Sequence, residues 1–446
     1  MRGIMVALLI GVVFFGVTQF WFPVEHAVLI ALVALLVTLW TNEALPLGVV
    51  SMLPILLFPV FGILTTNEVT ANYSKSIIFL FLGGFMLAIA IEKIELHKYF
   101  SAKLLSFFPK TARGIIYALA ITSALLSAIL SNTTITLMLM PIALFLSENI
   151  RLKVRFLLAT AYGASIGGIL TPIGTAPNLI LLGFLEEHQL PTMTFGGWMV
   201  LMLPVVGLML LIMPYLLSLG VSNECVEDIK HETTKLNGEQ KRLYSIIGVL
   251  AFILIANTFL KQLTGMAMNE KLILLGFGLL MFLPKIGFLT WEDTRNLPYE
   301  IIFLFGAGFS IAAAFMSTGL AEDIAEKLHA ISTLPLFWMF VVVALFVTFS
   351  TEVTSNTALT SIAIPIFYEF AKYMPENQSA MILMTATVAA SYAFMLPIAT
   401  PPNAIVMSSR VITIREMAGF GLKLNFIGVA VLSLVAYFIW GWILSS

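Results

Sequence analysis

Two tripeptides concentrate the chemistry available to this chain: Ser131-Asn132-Thr133 and Ser355-Asn356-Thr357, each inside a long apolar run. Hydroxyl, amide and hydroxyl in a row supply oxygen ligands without fixed charge. Where such a triplet leads into a helical run it takes the N-cap, at the positive end of the helix dipole, beside backbone N–H groups that have no partner in the helix. Helix ends of this kind bind anions. Each triplet is followed by a second polar interruption, Gly174-Thr175-Ala176-Pro177-Asn178 and Ala399-Thr400-Pro401-Pro402-Asn403. Proline, glycine and threonine break the helix there, and unwound backbone exposes carbonyls, which bind cations. An isolated Ser or Thr in an apolar helix usually bonds backbone one turn away or ties two helices together. A break kept twice in an apolar setting points instead to function.

The elements that must position these groups are themselves duplicated. Residues 131–142 (SNTTITLMLMPI) align with 355–366 (SNTALTSIAIPI), and 77–85 (IIFLFLGGF) with 301–309 (IIFLFGAGF), both at an offset of 224. At an offset of 225, 171–178 (TPIGTAPN) align with 396–403 (LPIATPPN), and 62–65 with 287–290. Four collinear matches mean internal duplication. The 446 residues are 60% hydrophobic and 11% charged, with a mean hydropathy of +1.01, too little charge to coat a soluble globule. The chain reads as an all-α polytopic membrane protein, with the lipid bilayer as its partner and no feature that suits nucleic acid.

About eleven crossings are expected, near 4–22, 26–41, 47–64, 77–93, 156–184, 197–220, 243–260, 270–286, 300–318, 380–407 and 424–444. The first ends in Thr-Gln-Phe-Trp-Phe-Pro without a small-residue cleavage site and reads as a retained span. Two further apolar runs, 114–147 and 335–371, are too long for one crossing, since about 34 helical residues would reach about 50 Å against a hydrocarbon core of about 30 Å. Lys110 and Arg113 before the first run, and Arg151, Lys153 and Arg155 after it, put both its ends on one side of the membrane. It therefore reads as a re-entrant hairpin, and the second run, flanked by Lys327 and Lys372, as another, with the two triplets at the tips. With the N-terminus in the cytoplasm and the C-terminus outside, 18 of the 23 Lys and Arg fall inside, and Lys75, Lys261, Lys271, Lys327 and Lys372 outside.

The expected organisation is a first helix over 1–25, repeat 1 over 26–220 (hairpin 111–150, broken helix 156–184), a charged cytoplasmic linker over 221–242, and repeat 2 over 243–446 (hairpin 334–371, broken helix 380–407). Five crossings per repeat invert the second copy, so the two tips meet near the midplane. Residues 94–110 and 321–330 suit short interfacial helices.

The paired Ser-Asn-Thr tips, followed by Pro-Ile-Gly-Thr-x-Pro-Asn and Pro-Ile-Ala-Thr-Pro-Pro-Asn, resemble the divalent anion/sodium symporter family over nearly the whole chain. The resemblance implies a sodium-coupled carrier of succinate, malate and fumarate in the inner membrane, a homodimer whose transport domain moves like an elevator against a scaffold. It implies one Na+ site from Ser127, Ser131, Asn132 and the Gly174 carbonyl, and a second from Thr351, Thr354, Asn356 and the Ala399 carbonyl. Substrate carboxylates would touch Ser131, Asn132, Thr133, Thr175, Ser355, Asn356, Thr357, Thr400 and Pro401. Ala176 stands where the second copy has Pro401, which makes the first break less rigid.

Glu352 is the acid beside a tip, and either organises the second cation site from behind or caps backbone at the hairpin turn. Glu43 and Glu92 fall near span ends. His26, His97, His188, His231 and His329 sit in loops or at interfaces without metal-site spacing, and the lone Cys225 excludes an internal disulfide. The spans hold no Ser/His, paired Asp or HExxH arrangement, so an intramembrane enzyme is not expected. A channel would need a continuous charged or carbonyl-lined pore. A sodium-independent dicarboxylate exchanger, or a symporter for citrate or sulfate, fits the same neutral tips.

Overall fold

The computed structural model describes residues 2–42, 44–221, 235–264, 268–327 and 334–445. Glu43, Cys225, His231, His329 and most of the expected linker lie outside the described residues. These form helices and no strand. In chain order they are α1 (Arg2–Thr18), α2 (Val24–Thr41), α3 (Leu47–Val60), α4 (Thr66–Asn72), α5 (Ser76–Lys93), α6 (Leu96–Ser106), α7 (Ala112–Ser127), α8 (Asn132–Phe145), α9 (Ile150–Gly167), α10 (Ala176–Glu187) and α11 (Phe195–Ser218). Then follow α12 (Gly238–Thr264), α13 (Glu270–Leu280), a 3₁₀ turn (Trp291–Asn296), α14 (Tyr299–Ser317), α15 (Leu320–Lys327), α16 (Leu336–Thr351), α17 (Asn356–Ala371), α18 (Glu376–Ala389), a second 3₁₀ turn (Pro397–Ala399), α19 (Pro401–Ser408) and α20 (Ile414–Leu434), which runs through a π segment to Ser445.

After α1, the order of the first half is repeated in the second, down to local chemistry. Thr65 caps α4 in a reciprocal box with Glu68, and Thr290 caps the matching 3₁₀ turn in the same box with Asp293. Among the described residues, six helices are long and apolar enough to cross a membrane, α2, α11 and α14 among them. Large apolar side chains such as Leu9, Val12, Leu211 and Phe252 face outward, as a lipid-facing surface requires.

Two boundaries differ from expectation. The crossing expected over 270–286 is helical only over Glu270–Leu280, because a run of turns with Pro284 and the left-handed Lys285 follows; within the helix a Cβ on Gly278 would lie 2.7 Å from the Cα of Gly83 on α5. The charged end of the linker is already helix, because Asn237 and Gln240 exchange side-chain and backbone hydrogen bonds (2.7 and 3.1 Å) and start α12 at Gly238. The segments expected as short helices contain α6 and α15.

The runs at 114–147 and 335–371 each divide into two helices that pack against each other, α7 on α8 and α16 on α17. At 1.5 Å per residue, the 16 and 14 residues of α7 and α8 reach only about 24 and 21 Å, short of a core of about 30 Å. The helix expected over 156–184 divides into α9 and α10, and that over 380–407 into α18 and α19. The halves interlock: α8 of the first hairpin packs against α19 of the second broken helix, and α10 of the first broken helix against α17 of the second hairpin.

Candidate cation and anion site

Four helices therefore begin at the polar motifs: α8 at Asn132, α10 at Ala176, α17 at Asn356 and α19 at Pro401. The N-caps are Ser131, Thr175, Ser355 and Thr400. Only Thr400 caps with its side chain, accepting from the Asn403 N–H at 3.4 Å. The hydroxyls of Ser131, Thr175 and Ser355 make no capping bond, so these helix starts keep both the hydroxyl and the first-turn N–H groups for a ligand.

In the first half, the Ser127 hydroxyl donates to Asn132 Oδ1. A Cβ built on Gly168 would lie 3.0 Å from that same oxygen and 3.1 Å from the Gly174 carbonyl oxygen. Ser127, Asn132 and Gly174 thus bring oxygens together around one glycine, which explains why residue 168 carries no side chain. Ser127 is buried, Asn132 half-buried and Ser131 exposed. In the second half, the Thr351 hydroxyl lies 2.5 Å from Asn356 Oδ1 and 3.0 Å from the Ala390 carbonyl. Thr354 is drawn one turn back, donating to the Ser350 carbonyl at 2.9 Å, so only its lone pairs remain for a ligand. Thr136 and Thr360 each donate at 2.7 Å to the backbone carbonyl of Asn132 and Asn356, a further mirrored detail. Thr133 is half-buried, Thr357, Ala399 and Thr400 are buried, and Pro401 is exposed at the first position of α19.

The unwound backbone is held by partners that sequence reasoning passed over. Asn178 donates to the carbonyls of Gly168 (3.1 Å) and Thr171 (2.8 Å), and Asn403 to those of Ala393 (2.9 Å) and Leu396 (3.0 Å). Both asparagines lay inside the duplicated motif, which was the available signal. The Trp198 indole of α11 donates to Ile169, and Tyr162 of α9 reaches across to the Phe394 carbonyl at 2.8 Å. Glu352, 3% exposed, receives the N–H groups of Phe394, Met395 and Leu396 at 2.8 to 3.0 Å and the Asn425 amide at 2.7 Å. Glu352 does cap backbone, but not at the hairpin turn where that role was expected: the N–H groups it receives belong to the second helix break, between α18 and α19. The first half has Ala128 at the matching position, and there the Thr171 hydroxyl donates to the Ala128 carbonyl instead.

Among the described residues, no cluster of His, Cys, Asp or Glu is built for a metal. The oxygens at the tips are neutral, a donor set that suits a hard monovalent cation and not a transition metal. At the foot of the second hairpin, Lys372 pairs with Glu369 and lies 3.8 Å from Glu322 of α15, and its pKa is pushed up to about 12, first by the Glu369 carboxylate.

Two hairpins and two broken helices that interlock across the halves are the plan of a membrane transporter of the secondary type. The comparison with known proteins narrows the class: the profile described as citrate transporter matches residues 33–390, and the chain belongs to that family. The sodium-dependent dicarboxylate transporter SdcS of Staphylococcus saprophyticus is 30% identical, over 98% of this chain and 91% of the relative. SdcS of Staphylococcus aureus strain MRSA252 is 29% identical with the same coverage. Among solved structures, the YdaH transporter of Alcanivorax borkumensis shares the fold at a TM-score of 0.55 and 16% identity, over 94% of this chain and 98% of that one. Neisseria gonorrhoeae MtrF does so at a TM-score of 0.57 and 15% identity, over 95% and 97%.

Proposed function

We propose that the protein is a sodium-coupled symporter that carries C4-dicarboxylates such as succinate, malate and fumarate into the cytoplasm. The observation that carries this reading is the doubled cluster of neutral oxygens, Ser127–Asn132–Gly174 and Thr351–Asn356, each beside an unwound helix and a free helix start. Relatives named as sodium-dependent dicarboxylate transporters support the choice of ion and substrate.

In this reading one Na+ is held by Ser127, Ser131, Asn132 and the Gly174 carbonyl, and another by Thr351, Thr354, Asn356 and the Ala399 carbonyl. The substrate lies between the tips. Its carboxylates face Ser131, Asn132, Thr133 and Thr175 from one half, and Ser355, Asn356, Thr357, Thr400 and Pro401 from the other. Four helix N-termini and two bound cations offset the desolvation of a dianion far from water. Cations load first and draw the tips into position, so cation and substrate affinities rise together. The loaded body then crosses as an elevator against a scaffold, in a homodimer with the N-terminus in the cytoplasm and the C-terminus outside. The family's description makes citrate the second candidate substrate.

The test is uptake of radiolabelled succinate into proteoliposomes under an imposed sodium gradient, challenged with unlabelled malate, fumarate, citrate and sulfate. Sodium-dependent uptake, competed most strongly by the C4 acids, is the expected result; counterflow that ignores sodium would make the protein an exchanger.

A further inference from the structure

Each break in the paired helices is closed by one asparagine in the same way. Asn178 reaches back to carbonyls ten and seven residues earlier, and Asn403 spans the same two intervals in the other half. Both side chains are completely buried. Their amide orientation follows from their partners, since both contacts of each nitrogen are carbonyls and only the NH₂ end can donate. In both halves the remaining oxygen, Asn178 Oδ1 and Asn403 Oδ1, has no donor among the described protein groups. A buried acceptor without a donor is destabilising, yet the arrangement occurs twice, so the two donors are what the position is for.

The first clasp leads directly to the cation site. Asn178 grips the Gly168 carbonyl, and that oxygen would lie 2.3 Å from a Cβ on Gly174. The Gly168 residue in turn abuts Asn132 Oδ1 and the Gly174 carbonyl oxygen. Shifting the Gly168 peptide therefore shifts the space that those two oxygens border. In the second half, Asn403 holds Ala393 and Leu396, which flank the backbone that Glu352 receives before the Ala399 carbonyl.

We propose that Asn178 and Asn403 are positioning residues for sodium, each fixing the unwound carbonyls of one cation site without touching the ion. The inference rests on the sodium-symport reading above. The test uses the purified full-length protein and measures melting temperature and succinate uptake across a sodium titration, for wild type, Asn178→Ala, Asn403→Ala, Asn178→Asp and Asn403→Asp. Each alanine variant is expected to raise the sodium half-saturation about tenfold or more, the scale set by losing one or two buried hydrogen bonds, while the succinate KM at saturating sodium stays within about twofold. The aspartate variants keep the volume but lose both donors at neutral pH. As pH falls their carboxylic O–H supplies one donor, and the sodium half-saturation should recover part of the way, a response that a purely structural role would not produce. The proposal is overturned if folded variants keep the wild-type sodium half-saturation, or if melting falls equally with and without sodium. Wild-type protein that ignores sodium in both assays would instead remove the symport reading, and the positioning role with it.

Discussion

Gly168→Ala places a methyl group at the border of the proposed first cation site. Its Cβ would stand 3.0 Å from Asn132 Oδ1, 3.1 Å from the Gly174 carbonyl oxygen and 3.3 Å from Asn132 Nδ2, closer than the usual approach of carbon to those atoms. The neighbours must retreat by a few tenths of an ångström, and the retreating atoms are the ones assigned to sodium. Overpacking of this degree costs about 1–3 kcal/mol. Borne mainly by the ion-bound state, that is a rise of roughly five- to 150-fold in sodium half-saturation, since about 1.4 kcal/mol is a factor of ten. The second half offers an internal contrast, because Ala393 occupies the matching position and Ala399 stands where the first half has Gly174. Ala393→Gly should therefore leave sodium dependence close to wild type. Gly207→Ala, where a Cβ meets nothing within 4 Å, controls for substitution as such. The assay is initial-rate succinate uptake in proteoliposomes across a sodium series, with melting temperature to establish folding. A folded Gly168→Ala protein with wild-type sodium dependence would refute the assignment of Asn132 and Gly174 to the ion.

Asn132→Ala and Asn356→Ala should each abolish sodium-driven uptake while the protein remains folded, as gel filtration and circular dichroism would check. Glu352→Ala leaves three N–H groups and the Asn425 amide without their acceptor; a loss of about 3 kcal/mol or more in stability is expected, read as a lowered melting temperature, and an unchanged melting temperature would show that the second break does not depend on it. Asp293 has its pKa held below the usual carboxylate value by the Lys93 ammonium at 2.7 Å and the Thr290 N–H. Its folded-state pKa is depressed, so its contribution is present above the ordinary value of 3.8 and is lost as pH falls through the lower folded value. A pH series of melting temperatures should show an acid-side decline that is smaller in Asp293→Asn.

Much of this architecture is legible in the residues. Basic residues bracketing 114–147 lead to the expectation of a chain that turns back, and the run is divided into α7 and α8, which pack against each other. Pro177 and Pro402 behind small polar residues mark the places where α9 gives way to α10 and α18 to α19. What escapes is set by tertiary contact. The close approach of Gly278 to the Gly83 backbone, which seats α13 on α5, is written in no local pattern. Ser131 and Ser355 carry a capping signature, yet their hydroxyls stay out of the cap, because a helix start can be completed by a ligand as well as by its own side chain. Glu352 could be recognised as unusual from its apolar surroundings, but its partners lie 42 to 73 residues away, and only the fold brings Asn425 to it.

The central claim is that two neutral oxygen clusters couple alkali ions to a dianion. It is tested most directly by succinate uptake into proteoliposomes with sodium outside, compared with the same vesicles after equimolar replacement of sodium by potassium or choline. The account predicts concentrative uptake only with sodium, lost in Asn132→Ala and in Asn356→Ala; equal uptake in all three salts, or wild-type uptake in either variant, would contradict it.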